Sequence, residues 1–222
     1  MLSRMVECTI GFSVGIMLAT ALLHALPEAF ESQISNRILF LVMLSGLLAF
    51  FLLEKFAILW RSRHHRDISH DRKEARKVGW MILLGDGLHN FTDGILVAAA
   101  FLADSNLGLM TGLAIIVHEI PQEIGNFIVL LNAGFSRSHA YFYNLVCSLM
   151  AVLGGLLGYL TLEGSMRCIP YVLVFASSGF IYIALSDLVP KMQLQDNFRG
   201  AILQTLLVGI GIFTVILMTN HY

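Results

Sequence analysis

The sequence predicts an all-α protein, a polytopic membrane helix bundle of about seven transmembrane helices. Three observations carry that prediction. First, 57% of the 222 residues are hydrophobic and 13% are charged, where soluble domains run at about 45–50% apolar and about 25% charged. Second, long apolar runs fall at about 8–27, 38–60, 78–103, 107–133, 140–162, 169–189 and 201–220, each close to the ~20 residues that cross a bilayer as a helix. Third, the Lys and Arg residues sort to one side. With the N-terminus inside and seven alternating spans, twelve lie inside (Arg4, Lys55, the seven within 61–77, Arg137, Lys191, Arg199) and only Arg37 and Arg167 lie outside. That bias places the N-terminus in the cytoplasm and the C-terminus outside, and an even number of spans would spoil it.

The chain reads as a single transmembrane domain, 1–222, with lipid as its solvent and a cell membrane, inner or plasma, as its location. The first run ends in His24, Pro27 and Glu28, which does not suit a cleavable signal peptide. The second leads into the one sizeable connection, a cytoplasmic His/basic loop over 61–77 reading RSRHHRDISHDRKEARK. Its histidines, His64, His65 and His70, either handle metal or simply sit in a solvated segment facing anionic lipid. GGLLG in the fifth run, and Gly209 and Gly211 in the seventh, suit close helix packing. A net charge of −1 argues against nucleic acid as a partner. Cys8, Cys147 and Cys168 are too scattered for a thiolate cluster.

The third and fourth runs depart from plain membrane anchors. GDGLHNFTDG (85–94) interrupts one and VHEIPQEIGNF (117–127) the other. Ionisable groups in hydrocarbon cost several kcal/mol unless they meet a partner, a cavity or an ion. His89 and Asp93 are i and i+4, with Asn90 beside them and Asp86 one turn back. His118 and Gln122 repeat that spacing, as do Glu119 and Glu123, and Asn126 continues the stripe. Pro121 lacks an N–H and frees the carbonyl of Val117. Imidazole with carboxylate is a ligand set for zinc, iron or manganese; a buried structural network is the bland alternative.

HNFTDG (89–94) followed by HEIPQEIGNFIVLLNAGFS (118–136) resembles the paired signature of the ZIP (Zrt-, Irt-like) metal transporters, in the branch whose fifth helix reads HExPHE. HALPEA (24–29) and GFIYIALSDLVP (179–190) are similar to the ends of that family's second and seventh helices. The resemblance implies a metal centre on the transport path, with His89, Asn90, Asp93, His118, Glu119 and Gln122 on ligand positions and Glu123 as an added candidate. It also implies that the seven spans correspond to the family's second through eighth, either because the start of the chain is abbreviated or because this member does without the first helix. Gln122 stands where the branch has His, Asn126 where Asp is commoner, and Lys191 where an acid is common.

A short internal repeat points the same way. ALLHALP (21–27) aligns without gaps on ALSDLVP (184–190), setting His24 over Asp187. The two segments end at opposite faces, the inverted relation of alternating-access carriers. His24 and Asp187 then read as outer and inner access groups, or as polar helix ends at the headgroups. Glu28, Asp86 and Asn126 join them as candidates on the path. The expected function is a carrier, not an enzyme. It moves a divalent ion toward the cytoplasm, zinc first, with iron, manganese and cadmium also accommodated, and a homodimer is an open assembly state. The alternatives are an intramembrane metalloprotease, from the HExxH-like start at His118-Glu119, and a passive metal channel or sensor.

Overall fold

The computed structural model describes residues 2–65, 72–193 and 198–219, and every regular element among them is helical. The first span is a continuous rod of α1 (Leu2–Thr20), a π turn (Ala21–Ala25) and α2 (Leu26–Phe30). It is followed by α3 (Asn36–His65), α4 (Arg72–Ala103), α5 (Ser105–Asn132) and α6 (Arg137–Leu162). The sixth span joins a 3-10 turn (Met166–Cys168), α7 (Ile169–Ile183), a second π turn (Ala184–Leu188) and α8 (Val189–Gln193); α9 (Phe198–Thr219) is the seventh. The seven expected runs therefore each coincide with a helical stretch.

Six stretches among the described residues are long and apolar enough to cross a membrane: Thr9–Phe30, Asn36–Phe56, Ser105–Asn132, Arg137–Leu162, Met166–Ser186 and Gly200–Met218. The seventh, Arg72–Ala103, has 32 residues and so ample length, but the polar residues of 85–94 dilute its hydropathy. The loop expected over 61–77 is helical at both ends, because α3 runs to His65 and α4 starts at Arg72. Arg, Lys, Glu and Ala are good helix formers, so the helices extend past their apolar parts. Residues 66–71, with His70, lie outside the described residues, as do the side chains of His64, His65, Asp187 and Lys191.

Short connections make consecutive spans antiparallel. Asp104 alone separates α4 from α5, its side chain accepting from the Leu107 N–H at 2.9 Å as a helix cap. The first span is the interior one. Of its apolar window 67% is buried, against 11% for Asn36–Phe56. It packs against α9 and α5, while α4 packs against α6 and α5, and α3 against α7. Two of these contacts are backbone to backbone. A Cβ on Gly154 would sit 2.0 Å from the Phe91 carbonyl oxygen, and one on Gly94 2.0 Å from that of Ala151. Gly15 and Gly211 bring α1 and α9 together in the same way. Gly209, expected in the same role, is open: a Cβ there would meet no atom outside its own helix turn within 4 Å.

The carbonyl that Pro121 frees is not left bare. Ser13 Oγ donates to Val117 O at 2.9 Å from the first span, a partner 104 residues away. The bond is buried and ties α1 to the kinked helix. We expect Ser13→Ala to lower the unfolding free energy in detergent by about 1–3 kcal/mol, the cost of an orphaned buried acceptor. Thermal unfolding followed by circular dichroism measures it, and an unchanged midpoint would show that the carbonyl finds another donor.

The two π turns occupy the same place in the internal repeat. Leu26 N–H bonds to Ala21 O in the first and Val189 N–H to Ala184 O in the second. Pro27 and Pro190 each follow one residue later. A proline cannot bond to the carbonyl four residues back and its ring crowds that oxygen. A wider turn just before it relieves the crowding, and such bulges recur at functional sites.

Candidate metal centre

Halfway along α4 and α5, four side chains meet. His118 is 2% exposed and Asp93 7%. His118 Nε2 lies 3.4 Å from Asp93 Oδ2, 3.4 Å from Glu119 Oε1 and 3.4 Å from His89 Nε2. His89 Nε2 is 3.3 Å from Glu119 Oε1 and 3.7 Å from Asp93 Oδ2. The helical spacing of His89 and Asp93 puts both on the face of α4 that meets α5. On α5, the adjacent His118 and Glu119 both reach it.

The backbone sets the donor chemistry. His118 Nδ1 lies 3.0 Å from Ala114 O, and a carbonyl can only accept, so Nδ1 carries the proton. In the neutral imidazole Nε2 is then a lone pair aimed at the cluster, the usual way a protein orients a metal-binding imidazole. Its neighbours there are carboxylates. Asp93 Oδ2 and Glu119 Oε1 are both buried without a hydrogen-bond partner. Convergent ligand atoms of this kind are unfavourable until imidazole protons or a metal cation satisfy them.

A second group adjoins the first. Asp86, Glu119 and Glu123 each offer an oxygen, and these atoms lie within 4.8 Å of one another, as do those of His89, Asp93, His118 and Glu119. Glu119 belongs to both groups. Carboxamides surround the second: Asn126 Nδ2 donates to Asp86 Oδ1 at 2.6 Å and Gln122 Nε2 donates to the same atom at 3.2 Å. Asn90 Nδ2 donates to Asp86 O at 3.2 Å and reaches Glu119 Oε2 at 3.4 Å. Asp86 Oδ2 stays buried and unpartnered.

Of the candidates read from the sequence, His89, Asp93, His118 and Glu119 form one group and Asp86, Glu119 and Glu123 the other, with Asn90, Gln122 and Asn126 as their hydrogen-bond partners. His24 and Glu28 stand apart, at the end of the bundle where Asp104 lies. His24 Nε2 is buried there without a partner, and Glu28 is exposed. A cavity of about 410 Å³ between α3, α4 and α7 reaches His89 and Asp93 past Phe50, Phe175 and Phe180.

Sequence reasoning missed the contribution of α6. Ser148 Oγ donates to Glu123 Oε1 at 2.7 Å, and Asn144 Nδ2 to Glu123 O at 3.0 Å. The two are i and i+4 on one face, so the spacing test used for α4 and α5 would have found them. Glu54 was missed as well; within the second span it accepts from the Tyr182 hydroxyl of α7.

The ZIP zinc transporter family matches residues 2–78 and 63–219. Zinc transporter ZIP13 of Pongo abelii is 33% identical over 95% of this chain and 66% of its own length. Zinc transporter foi of Drosophila melanogaster is 38% identical over 63% of this chain and 20% of its own. Zinc transporter ZIP10 of Homo sapiens is 38% identical over 52% and 14%. The chain thus spans 66% of the ZIP13 relative and 20% or less of the other two. With the match running through both halves of the bundle, including the two helices that carry the cluster, the chain belongs to the ZIP zinc transporter family.

Proposed function

We propose that the protein is a carrier for divalent metal ions, zinc foremost, with iron, manganese and cadmium as further cargo. The observation that supports it most is the pair of buried and half-buried ligand groups sharing Glu119 in the middle of two membrane helices. His89, Asp93, His118 and Glu119 take the ion from water. Glu119 then turns it over to Asp86 and Glu123, with Asn90, Gln122 and Asn126 supplying neutral contacts. His24 and Glu28 serve the outer access and Asp187 the inner one. Movement toward the cytoplasm rests on the family resemblance, because ligand chemistry is indifferent to direction. A closed all-protein zinc site would hold its cargo too tightly, and Gln122, in place of the His of the HExPHE branch, keeps affinity moderate. Its side chain bonds to Asp86, which speaks against a protease built on a second His at that position.

Metal-resolved uptake into proteoliposomes tests this reading. Saturable zinc accumulation without conductance supports a carrier; conductance without saturation indicates a channel; no flux of any divalent ion overturns the proposal. The N-in, C-out arrangement is checked on the same vesicles, where a tag after Tyr222 and a tag within 64–72 should lie on opposite sides.

Metal binding requires unprotonated Nε2 atoms, so protons compete with the ion. Zinc affinity should therefore weaken as pH falls. Gln122→His adds an imidazole beside Asp86. It should tighten zinc binding and steepen the pH dependence, since one more proton must leave. Calorimetry in detergent at several pH values reads both, and identical, pH-independent affinities would mean that neither residue 122 nor the histidines meet the metal.

A further inference from the structure

We propose that Thr20 and Thr111, beneath His24, form an outer station where the ion exchanges water for hydroxyl oxygens before it reaches the central cluster. The inference deepens the transport reading above and rests on it.

The starting point is a contrast among the hydroxyls of helical Ser and Thr residues. A Ser or Thr inside a helix ordinarily donates to the carbonyl three or four residues back. Thr161, Ser177, Ser186, Thr205 and Thr214 all do so here, each to the residue four back. Thr20 and Thr111 do not. Thr20 is 0% exposed and Thr111 1%, yet both Oγ1 atoms are buried without a hydrogen-bond partner. Leaving a hydroxyl unbonded where water cannot reach it is costly, and a free partner carbonyl is normally one rotamer away.

The two threonines belong to one place. Ser13 of α1 bonds to Val117 of α5, and the two helices pack along one another. As spans one and four of the bundle they run antiparallel, and that bond sets their register. From it, Thr20 lies seven residues on from Ser13 and Thr111 six back from Val117, which sets them at about the same depth. His24 is i+4 from Thr20, one turn nearer the end of the bundle, and its Nε2 is the third buried atom without a partner. In the other direction Thr111 precedes His118 by seven residues, about 10 Å along the helix. Three unpartnered polar atoms thus fall along the stretch of the bundle between its Asp104 end and the cluster.

The chemistry suits a passing ion. Hydroxyl oxygens are neutral acceptors that can replace part of a hydration shell without a carboxylate's charge. A station on a transport route must bind well enough to admit the ion and weakly enough to release it. Two hydroxyls below one imidazole meet both needs, and the anionic cluster ahead draws the ion onward.

The test uses the full chain in proteoliposomes with a zinc indicator inside. Valine keeps the shape of threonine and removes the hydroxyl. The double variant Thr20→Val, Thr111→Val should take up zinc about tenfold more slowly, with unchanged zinc binding to the central cluster by calorimetry. Thr20→Ser with Thr111→Ser should transport close to the wild-type rate. Wild-type uptake by the valine pair overturns the station, and so does a serine pair as slow as the valine pair, which would make shape the role of both residues. A second measurement does not depend on transport. With Cys168→Ser, the thiol of Thr111→Cys is converted to a mixed disulfide by an impermeant methanethiosulfonate, methanesulfinate leaving, and the adduct is read by mass spectrometry. Cadmium should slow that reaction, and equal rates with and without cadmium overturn the proposal. Failure of the transport reading looks different: His118→Ala would then move zinc as fast as the wild type.

Discussion

His118→Ala should abolish zinc uptake while the chain still inserts and elutes as folded protein. The imidazole is 2% exposed, and its Nε2 stands within 3.4 Å of Asp93, Glu119 and His89. Removing it takes a nitrogen ligand from a group that has no thiolate to replace it, and leaves two carboxylates facing a void. Even the outer partners of metal ligands are worth about 10–100-fold in affinity. Loss of this ligand should therefore cost more than about 100-fold in uptake at low zinc. The measurement is initial rate against zinc concentration in proteoliposomes matched for protein content. A variant that transports normally would place the route elsewhere in the bundle.

The second large effect is on folding. Gly154→Leu should leave almost no folded protein, because its Cβ would sit 2.0 Å from the backbone oxygen of Phe91. No side chain can turn aside to make room, so α4 and α6 would have to part. The cost should exceed the ~1–3 kcal/mol usual for overpacking. Gly209→Ala is the control: a Cβ there would meet no atom outside its own helix turn within 4 Å, and alanine is the better helix former by about 1 kcal/mol. Monodisperse yield after detergent extraction separates the two. Equal yields would mean that the close approach of α4 and α6 is not what holds the bundle together.

Why the central groups were legible in sequence is plain from His89, Asp93, His118 and Glu119. Charged groups in apolar runs need partners, and helical spacing says which of them share a face. Local chemistry also announced the freed Val117 carbonyl, since Pro121 alone implies it. Its donor was not legible, because Ser13 lies 104 residues away and an ordinary membrane serine satisfies itself. The same reasoning hid Thr20 and Thr111, whose interest lies in a bond they fail to make. Helix ends over 61–77 were misread because charge was taken to mean loop, although Arg, Lys and Glu sustain a helix in water as well as any residue. Gly154 and Gly158 were rightly marked for packing, but Gly209 shows that a glycine in a span does not by itself identify a contact.

Glu119 belongs to both ligand groups, and for the proposed carrier this has a thermodynamic consequence. One carboxylate cannot neutralise two ions as fully as it neutralises one. Filling either group must weaken binding at the other, and by linkage the penalty is the same in both directions. The protein should therefore show negative cooperativity toward its cargo, with a first ion held more tightly than a second. A binding isotherm would show two unequal steps rather than one. In transport terms, an arriving ion loosens the one ahead of it, so that release quickens as supply rises.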